Sequence, residues 1–149
     1  MTMNFNDAKP QSGGTGEIIP DNTVAPVRLN MRGEKTTKAG DAIMLDCEFI
    51  ITEGPFAKRR IWSMMMITSN GSAGHNTAVD ITRSRVRGML ESAFGIDPTD
   101  ESDAAMGART ISDWTDLDGM EFVARIGIEK DKTGNYPDKN AIKAAVTPD

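Results

Sequence analysis

The alternation of side chains in residues 42–52 is the feature that most constrains the fold of this chain. One set of alternate positions is apolar and comprises Ile43, Leu45, Cys47, Phe49 and Ile51. The other set comprises Met44, Asp46, Glu48, Ile50 and Thr52. Successive side chains of a β-strand point to opposite faces of a sheet, so a period of two indicates a half-buried strand. We therefore predict a strand over residues 42–52 with its first set of side chains in the core.

Four further segments show the same period of two and are predicted to be strands. They are strand one at 24–31, strand three at 58–68, strand four at 120–130 and strand five at 140–146. Gly54 and Pro55 separate strands two and three and predict a turn between antiparallel neighbours. Both faces of strand three contain apolar residues, so its pattern leaves open which face is buried.

One helix is predicted between strands three and four. Its apolar stripe at helical spacing comprises Val79, Val86, Met89, Leu90, Ala93 and Phe94. Asn76 or Thr77 would cap its start, and Gly95 would end it. Three strands, a helix and two strands are the element order of an OB-fold. We predict a mainly β protein, an OB-like five-stranded Greek-key barrel with one helix between strands three and four.

The chain is predicted to contain a flexible N-terminal arm, residues 1–23, and one OB-like domain, residues 24–149. A glycine-rich, polar stretch precedes the first strand, and 149 residues are typical of a single domain. The sequence has no run of about 18 apolar residues, so we expect no membrane span. Its polar start lacks the layout of a signal peptide. These features predict a cytoplasmic protein.

The charge of the chain is distributed unevenly. The net charge is -5, but residues 91–121, hereafter the acidic segment, contain nine acidic residues and a single arginine. The acidic segment therefore carries -8, and the rest of the chain carries +3. The local acidity suits a protein partner or a mimic of nucleic-acid charge, whereas the mildly basic remainder is compatible with an anionic ligand.

The chain has one cysteine and one histidine, and no recognisable catalytic or metal-binding motif surrounds either of them. The single cysteine, Cys47, lies in the apolar alternation and is predicted to be a buried thiol. Together with the single histidine, His75, it would supply half of a structural zinc site. We predict no catalytic residue, no metal and no cofactor. A weaker alternative is an enzyme acting on nucleic acid with Asp113, Asp116 and Asp118 as metal ligands.

Three groups of basic residues fall on the elements with which OB-folds bind single strands, namely strands two and three and the two loops beside them. The polar loop after strand one contains Arg32, Lys35 and Lys38, and strand three begins with Lys58, Arg59 and Arg60. The loop between strands four and five contains Lys130, Lys132 and Lys139. Cations that neutralise phosphates release condensed counterions, which drives binding. We predict that these groups converge on a nucleic-acid backbone.

Three aromatic residues, Phe56, Trp62 and Tyr136, accompany the basic groups. Stacking of a base on an aromatic ring contributes roughly 1–3 kcal/mol, so these rings are predicted to bind unpaired bases. Asp46 and Glu48 oppose this interpretation, because on the outer face of strand two they would repel phosphates.

Residues 4–11, 18–27, 44–62, 74–96 and 118–149 resemble an uncharacterised family of small phage and prophage proteins. The family pattern includes two motifs, which read EGPFAKRRIW at residues 53–62 and IEKDKTGNYPDKNAI at residues 128–142 here. In that family pattern an aromatic residue follows Gly-Pro, as Phe56 does here, and a basic motif surrounds the position of Tyr136. The resemblance covers most of the chain. It implies a role beside phage recombination and replication functions, as a single-stranded-DNA-binding or annealing accessory protein.

We therefore predict a non-catalytic single-stranded-DNA-binding protein of phage or prophage origin, in the cytoplasm of the bacterial host, that supports replication or recombination. Its partners would be single-stranded DNA and a phage or host recombination or replication protein. Exposed sheet edges also leave self-association open. The alternative is a protein-interaction or inhibitor module, such as a recombinase or nuclease partner or a host-defence antagonist, that uses the acidic segment.

Overall fold

The computed structural model describes residues 2–8 and 17–148. Its strands are β1 (Thr23–Thr36), β2 (Ile43–Ile51), β3 (Arg60–Met66), β4 (Glu121–Glu129) and β5 (Lys139–Ala145). Its helices are α1 (Ala73–Phe94), α2 (Asp103–Ala108) and a 3₁₀ turn at Trp114–Leu117. The predicted mainly β architecture, with one main helix between the third and fourth strands, is confirmed.

The five strands form one antiparallel sheet in the order β3-β2-β1-β4-β5. The central strand β1 pairs with β2 along most of its length and with β4 over residues 23–28. The outer strands β3 and β5 also contact each other. In a flat sheet, four strand spacings would hold them roughly 19 Å apart. The sheet is therefore strongly curved.

Strand β1 is longer than the sequence predicts. It continues to Thr36, so Arg32 and Lys35 lie on a strand. The prediction that both residues belong to the loop after strand one is therefore wrong. The polar residues after Met31 have low strand propensity, but their pairing with β2 maintains the strand. A β-bulge lies between Met31 and Gly33, where Gly33 has a φ of 135°. Glycine adopts this conformation without the strain that a side chain would cause.

The core lies on the inner face of the curved sheet. The predicted inner face of β2 is confirmed, since Leu45, Cys47, Phe49 and Ile51 are buried. On β3 the structure decides what the sequence left open: Ile61 and Met65 are buried, whereas Trp62 and Met64 are exposed by 51% and 41%. The reason is register, because Trp62 pairs with Glu48 and Met64 with Asp46 on the outer face of β2.

Helix α1 closes the core. Val86, Met89 and Leu90 are buried against the inner face, as the stripe predicts. Phe94 is an exception, since its side chain in the last residue of the helix is 61% exposed. The left-handed Gly95 ends the helix as predicted, with a φ of 68°.

The start of α1 differs from the prediction. Ser72, and not Asn76 or Thr77, is the N-cap, and its side chain accepts a hydrogen bond from the backbone N–H of His75. A short polar side chain just before the first turn satisfies a backbone donor that has no partner within the helix. In the described residues, no helix has both the length and the apolar character needed to cross a bilayer.

Part of the predicted N-terminal arm is packed on the domain. Ile19 is buried in the core, and its backbone exchanges two hydrogen bonds of 2.8 and 2.9 Å with the side chain of Asn140. Residues 17–22, which we had assigned to the arm, therefore contribute to the folded unit. Residues 2–8 are exposed, and residues 1, 9–16 and 149 lie outside the described part of the chain.

We expect the buried Cys47 thiol to resist alkylation. Burial raises its pKa from an ordinary value of 9.0 to about 11, because the thiolate is poorly solvated there. The native state therefore keeps this proton, and the contribution of Cys47 to stability should be lost as pH rises from about 9 towards about 11. At pH 8, iodoacetamide should modify the native protein on the order of 100-fold more slowly than the urea-unfolded chain. Mass spectrometry measures both rates, and equal rates would contradict the burial.

Candidate nucleic-acid interface

The outer face of β1, β2 and β3 carries side chains in three columns. On β1, Arg28, Arg32 and Lys35 form a basic column, and all three are exposed. On β3, Trp62, Met64 and Met66 form an apolar column that follows Arg60. The middle column on β2 consists of Ile50, Glu48, Asp46 and Met44. The basic side chains of β1 and the apolar side chains of β3 therefore lie on opposite sides of the β2 column, and Asn30 interrupts the basic column between Arg28 and Arg32.

Glu48 connects the two outer columns. Only 4% of this residue is exposed, although it lies on the outer face. Arg32 Nη1 donates a hydrogen bond of 3.4 Å to Oε2, and Arg60 Nε lies 3.1 Å from Oε1. The N–H of Arg60 does not point at Oε1, which accepts no hydrogen bond from the described residues. Glu48 therefore holds one arginine on each side of itself and neutralises part of their charge.

The β-bulge of β1 directs Arg32 onto this face. Arg32 is the extra residue between Met31 and Gly33, and bulges commonly re-aim a side chain in this way. Asp118 Oδ1 accepts a 2.8 Å hydrogen bond from the Met31 backbone N–H and so supports the bulge. The Arg32 guanidinium lies over the Trp62 ring, 4.9 Å from its centroid. Cation–π contacts of this kind help to hold both groups in place.

The acidic residues of β2 are less repulsive to phosphate than the sequence suggests. Glu48 is paired with two arginines, and Lys35 Nζ lies 3.2 Å from Asp46 Oδ2. The four cations Arg28, Arg32, Lys35 and Arg60 exceed these two carboxylates by two charges. Exposed Glu121 of β4 lies directly opposite Arg28 and reduces this excess to one positive charge, in a protein whose net charge is negative.

The loop between β4 and β5 is organised by Asp131. Its Oδ2 accepts hydrogen bonds from the Thr133 hydroxyl at 2.6 Å and from the Tyr136 N–H at 2.9 Å. These bonds, that of Thr133 above all, lower the pKa of Asp131 below its ordinary value. The Tyr136 side chain is 74% exposed. A cavity of about 370 Å³ lies beside it, lined by Lys130, Lys132, Tyr136 and Lys139 among others.

Two of the three predicted basic groups lie at one end of the sheet, namely residues 58–60 and the lysines of the β4–β5 loop. Arg59 Nη2 donates a 2.6 Å hydrogen bond to the Glu17 carbonyl, and two residues later Ile19 is bonded to Asn140 at the start of β5. The segment 17–19 thus joins the group at 58–60 to the base of the β4–β5 loop.

The third predicted group is divided. Arg32 and Lys35 lie on β1, and only Lys38 remains in the β1–β2 loop. That loop is at the opposite end of β2, which spans roughly 27 Å, so the predicted convergence of all three groups does not occur.

The three predicted aromatic platforms differ in exposure. Trp62 and Tyr136 present exposed rings, whereas Phe56 is half-buried and packs against the core. Turns bonded from Ala57 N–H to the Gly54 carbonyl and from Arg59 N–H to the Phe56 carbonyl fold the β2–β3 connection back on itself. Phe56 therefore has less surface for stacking than the sequence suggests. Lys58 follows it with a φ of 73° and an exposed side chain.

Arg28 and Met64 lie on the candidate interface, the outer face of β1, β2 and β3, but are not among the predicted site residues. Arg28 occupies a polar position in the alternation of strand one, which is a usable signal for an outer-face cation. Met64 belongs to a run of three methionines, and no pattern within the run shows which of them is exposed. Only the register of β3 on β2 decides that.

Most carboxylates of the acidic segment have structural partners. Asp97, Asp100, Asp113, Asp116 and Asp118 each accept at least one backbone N–H. Hydrogen bonds from Thr99 and Ser102 lower the pKa values of Asp97 and Asp100. Among the described residues, no three His, Cys, Asp or Glu side chains are grouped so that they could hold a metal ion. Much of this acidity therefore stabilises turns and caps.

Comparison with known protein families and sequences gives no match that bears on the function of this face. The chain matches no protein-family model and no curated protein sequence at a significant level. The resemblance to small phage and prophage proteins accordingly stays a prediction from the two motifs. The side chains of the outer face and of the β4–β5 loop carry the functional argument.

Proposed function

We propose that this protein binds single-stranded DNA, without catalysis, along the outer face of β1, β2 and β3. The observation that carries the proposal is that the basic column of β1 and the apolar column of β3 lie on either side of β2, on one face of the sheet. A single strand has charged phosphates on one side and flat bases on the other. The two columns offer a matching partner to each side.

We further propose that the curved sheet is an OB-like barrel. In support, β4 follows a long connection and lies beside β1, which is the 4-1-2-3 order of a Greek key. The contact between β3 and β5 and the helix between β3 and β4 also agree with that fold. OB-folds bind oligonucleotides on the face of strands two and three, where Trp62 and Glu48 lie here.

In the proposed complex, phosphates lie along Arg28, Arg32 and Lys35, and bases lie along Trp62 and Met64. Alternate residues of a strand are roughly 7 Å apart, so each column can meet several successive nucleotides. Arg32 contributes in two ways, because a guanidinium plane neutralises phosphate and also stacks on bases. Tyr136 and the lysines of the β4–β5 loop would extend the site at the end near residues 58–60.

The proposed preference for single strands follows from the position of the rings. A base must leave its duplex stack before it can lie on Trp62, and unstacking costs a few kcal/mol. An unpaired strand does not incur that cost. No contact in the proposed complex depends on base identity, so binding should show little sequence preference. The role in phage replication or recombination rests on the motif resemblance and is part of the proposal.

Titration of labelled single-stranded DNA, duplex DNA and RNA at several salt concentrations tests this function. We expect the tightest binding to single-stranded DNA and an affinity that falls as salt rises. Combined substitution of Lys130, Lys132 and Lys139 by alanine should weaken binding and reduce the slope of log K against log salt by about 0.7 per lost phosphate contact.

A control removes positive charge elsewhere, by combined substitution of Arg83 and Arg87 with alanine. It should leave the salt slope nearly unchanged, because both residues lie on α1, which packs on the inner side of the sheet away from the proposed strand path. Equal changes of the salt slope in the two variants would mean that the effect comes from net charge alone. Absence of single-strand binding at low salt would refute the proposal and favour the protein-interaction module.

A further inference from the structure

A second concave surface lies away from the outer face. A groove of about 680 Å³ separates α1 from residues 109–114, and we call it the helix groove. Its main lining residues are Arg83, Val86, Arg87, Leu90, Arg109 and Trp114. Because α1 packs on the inner side of the sheet, the body of the protein separates this groove from the columns on β1 and β3.

Three arginines give the helix groove a positive wall. Arg87 and Arg109 are oriented by the buried Glu91, whose Oε2 accepts from their Nε atoms at 3.2 and 2.8 Å. Arg83 is exposed one helical turn before Arg87, and it forms no ion pair with any described residue. Among the described residues, Asp113 is the only acidic residue that lines the groove; with the buried Glu91 behind Arg87 and Arg109, the three arginines exceed the nearby carboxylates by one charge.

The remaining lining of the helix groove is apolar. Val86 and Leu90 are buried and form its floor, while Ile111 and Trp114 are half-buried on the opposite side. Trp114 is held by the 3₁₀ turn, which Asp113 and Asp116 cap from both directions. The helix groove thus has a fixed apolar floor and two guanidinium groups, of Arg87 and Arg109, that Glu91 orients. The third guanidinium, of Arg83, has no ion-pair partner among the described residues.

We propose that the helix groove binds a short acidic peptide segment of a partner protein. One or two carboxylates of the peptide would pair with Arg83 and Arg87, and a large apolar side chain would lie between Leu90 and Trp114. The planar fork of arginine matches a carboxylate in two parallel hydrogen bonds. Tryptophan and arginine are also the residues that most often dominate protein–protein binding energy.

The distribution of charge favours a peptide over a nucleic acid in this groove. Every unit of a phosphodiester chain is negatively charged. A nucleic-acid strand in the helix groove would therefore bring phosphates close to the carboxylate of Asp113 and, past Arg87, to those of Asp97 and Asp100. A peptide can place its carboxylates beside Arg83 and Arg87 and present apolar side chains elsewhere. The apolar floor also buries a leucine or phenylalanine more favourably than a sugar or phosphate.

Selection from a phage-displayed library of random peptides, about a dozen residues long, tests the site on the full-length protein. We expect enriched sequences to combine Asp or Glu with a large apolar residue. Synthetic fluorescein-labelled copies of the enriched peptides should bind Arg83→Glu at least about tenfold more weakly than wild type, measured by anisotropy. Arg83→Ala should give a smaller loss in the same direction.

Arg125→Glu is the control for peptide binding, because it reverses another exposed arginine, on β4, that is not in the groove. It should change peptide affinity by less than about twofold. The peptide site is independent of the proposed DNA site, so Arg83→Glu should change the affinity for oligothymidine by less than about twofold. Three outcomes would overturn the proposal: no acidic and apolar consensus, equal peptide binding by Arg83→Glu, or displacement of the peptide by oligothymidine.

Discussion

Replacing Trp62 with alanine should weaken binding of single-stranded DNA by about 5- to 150-fold. The range corresponds to the loss of one stacked base, which contributes roughly 1–3 kcal/mol. Trp62 is half-exposed on β3, the outermost of the three strands of this face, and is the one aromatic ring of the apolar column. The substitution also removes the ring beneath the Arg32 guanidinium, so a smaller part of the loss should come from a less ordered arginine.

The Trp62→Ala result needs a control for a general effect of removing an exposed ring. Phe94→Ala provides it, since Phe94 is 61% exposed at the end of α1 and lies outside the proposed strand path. Its affinity for the same oligonucleotide should stay within about twofold of wild type. Trp62→Phe should recover much of the binding. Equal affinities of wild type and Trp62→Ala would disprove a stacking role for this face.

Replacing Glu91 with alanine should reduce the free energy of unfolding by about 3 kcal/mol. Glu91 is buried, and it pairs with Arg109, whose side chain is only 12% exposed. Removing one partner of a buried ion pair leaves the other charge with poor solvation. Arg109 would keep its hydrogen bonds to the Asp97 and Pro98 carbonyls, which offset part of the loss. The melting temperature should fall by roughly 6–12 °C.

Urea denaturation of Glu91→Ala and of Glu101→Ala measures the effect directly. Glu101 is an exposed carboxylate of the same acidic segment, and its substitution should change stability by less than about 0.5 kcal/mol. If the two variants lose similar stability, the ion pair does not stabilise the fold. A large difference would show that Glu91 stabilises the structure through its ion pair and is not free to mimic a nucleic acid.

The elements that the sequence predicts well are those with a strong local signal. The alternation of residues 42–52 identifies both the strand and its buried face, because one set of positions is wholly apolar. Gly95 ends α1, since few residues other than glycine adopt a φ of 68° without strain. Each of these features depends on neighbours within a few residues.

The features that the sequence predicts poorly depend on pairing across the sheet. Strand β1 continues through Arg32 and Lys35 because β2 supplies the hydrogen bonds, although the residues themselves are polar. Phe56 packs inward because the β2–β3 connection folds back. The N-cap of α1 is Ser72, one turn earlier than predicted. The loop geometry there allows the Ser72 side chain to reach the backbone N–H of His75.

By itself, the sequence determined which types of residue this protein has for a ligand, namely cations and aromatic rings at separate places along the chain. It also determined the order of the strands and the main helix. Only the tertiary structure decided that Trp62 faces outward, that Glu48 lies between two arginines, and that Lys38 is far from the other basic groups. The physical reason is that a strand with two apolar faces is oriented by its register with its neighbour, and that register is a long-range property of the sheet.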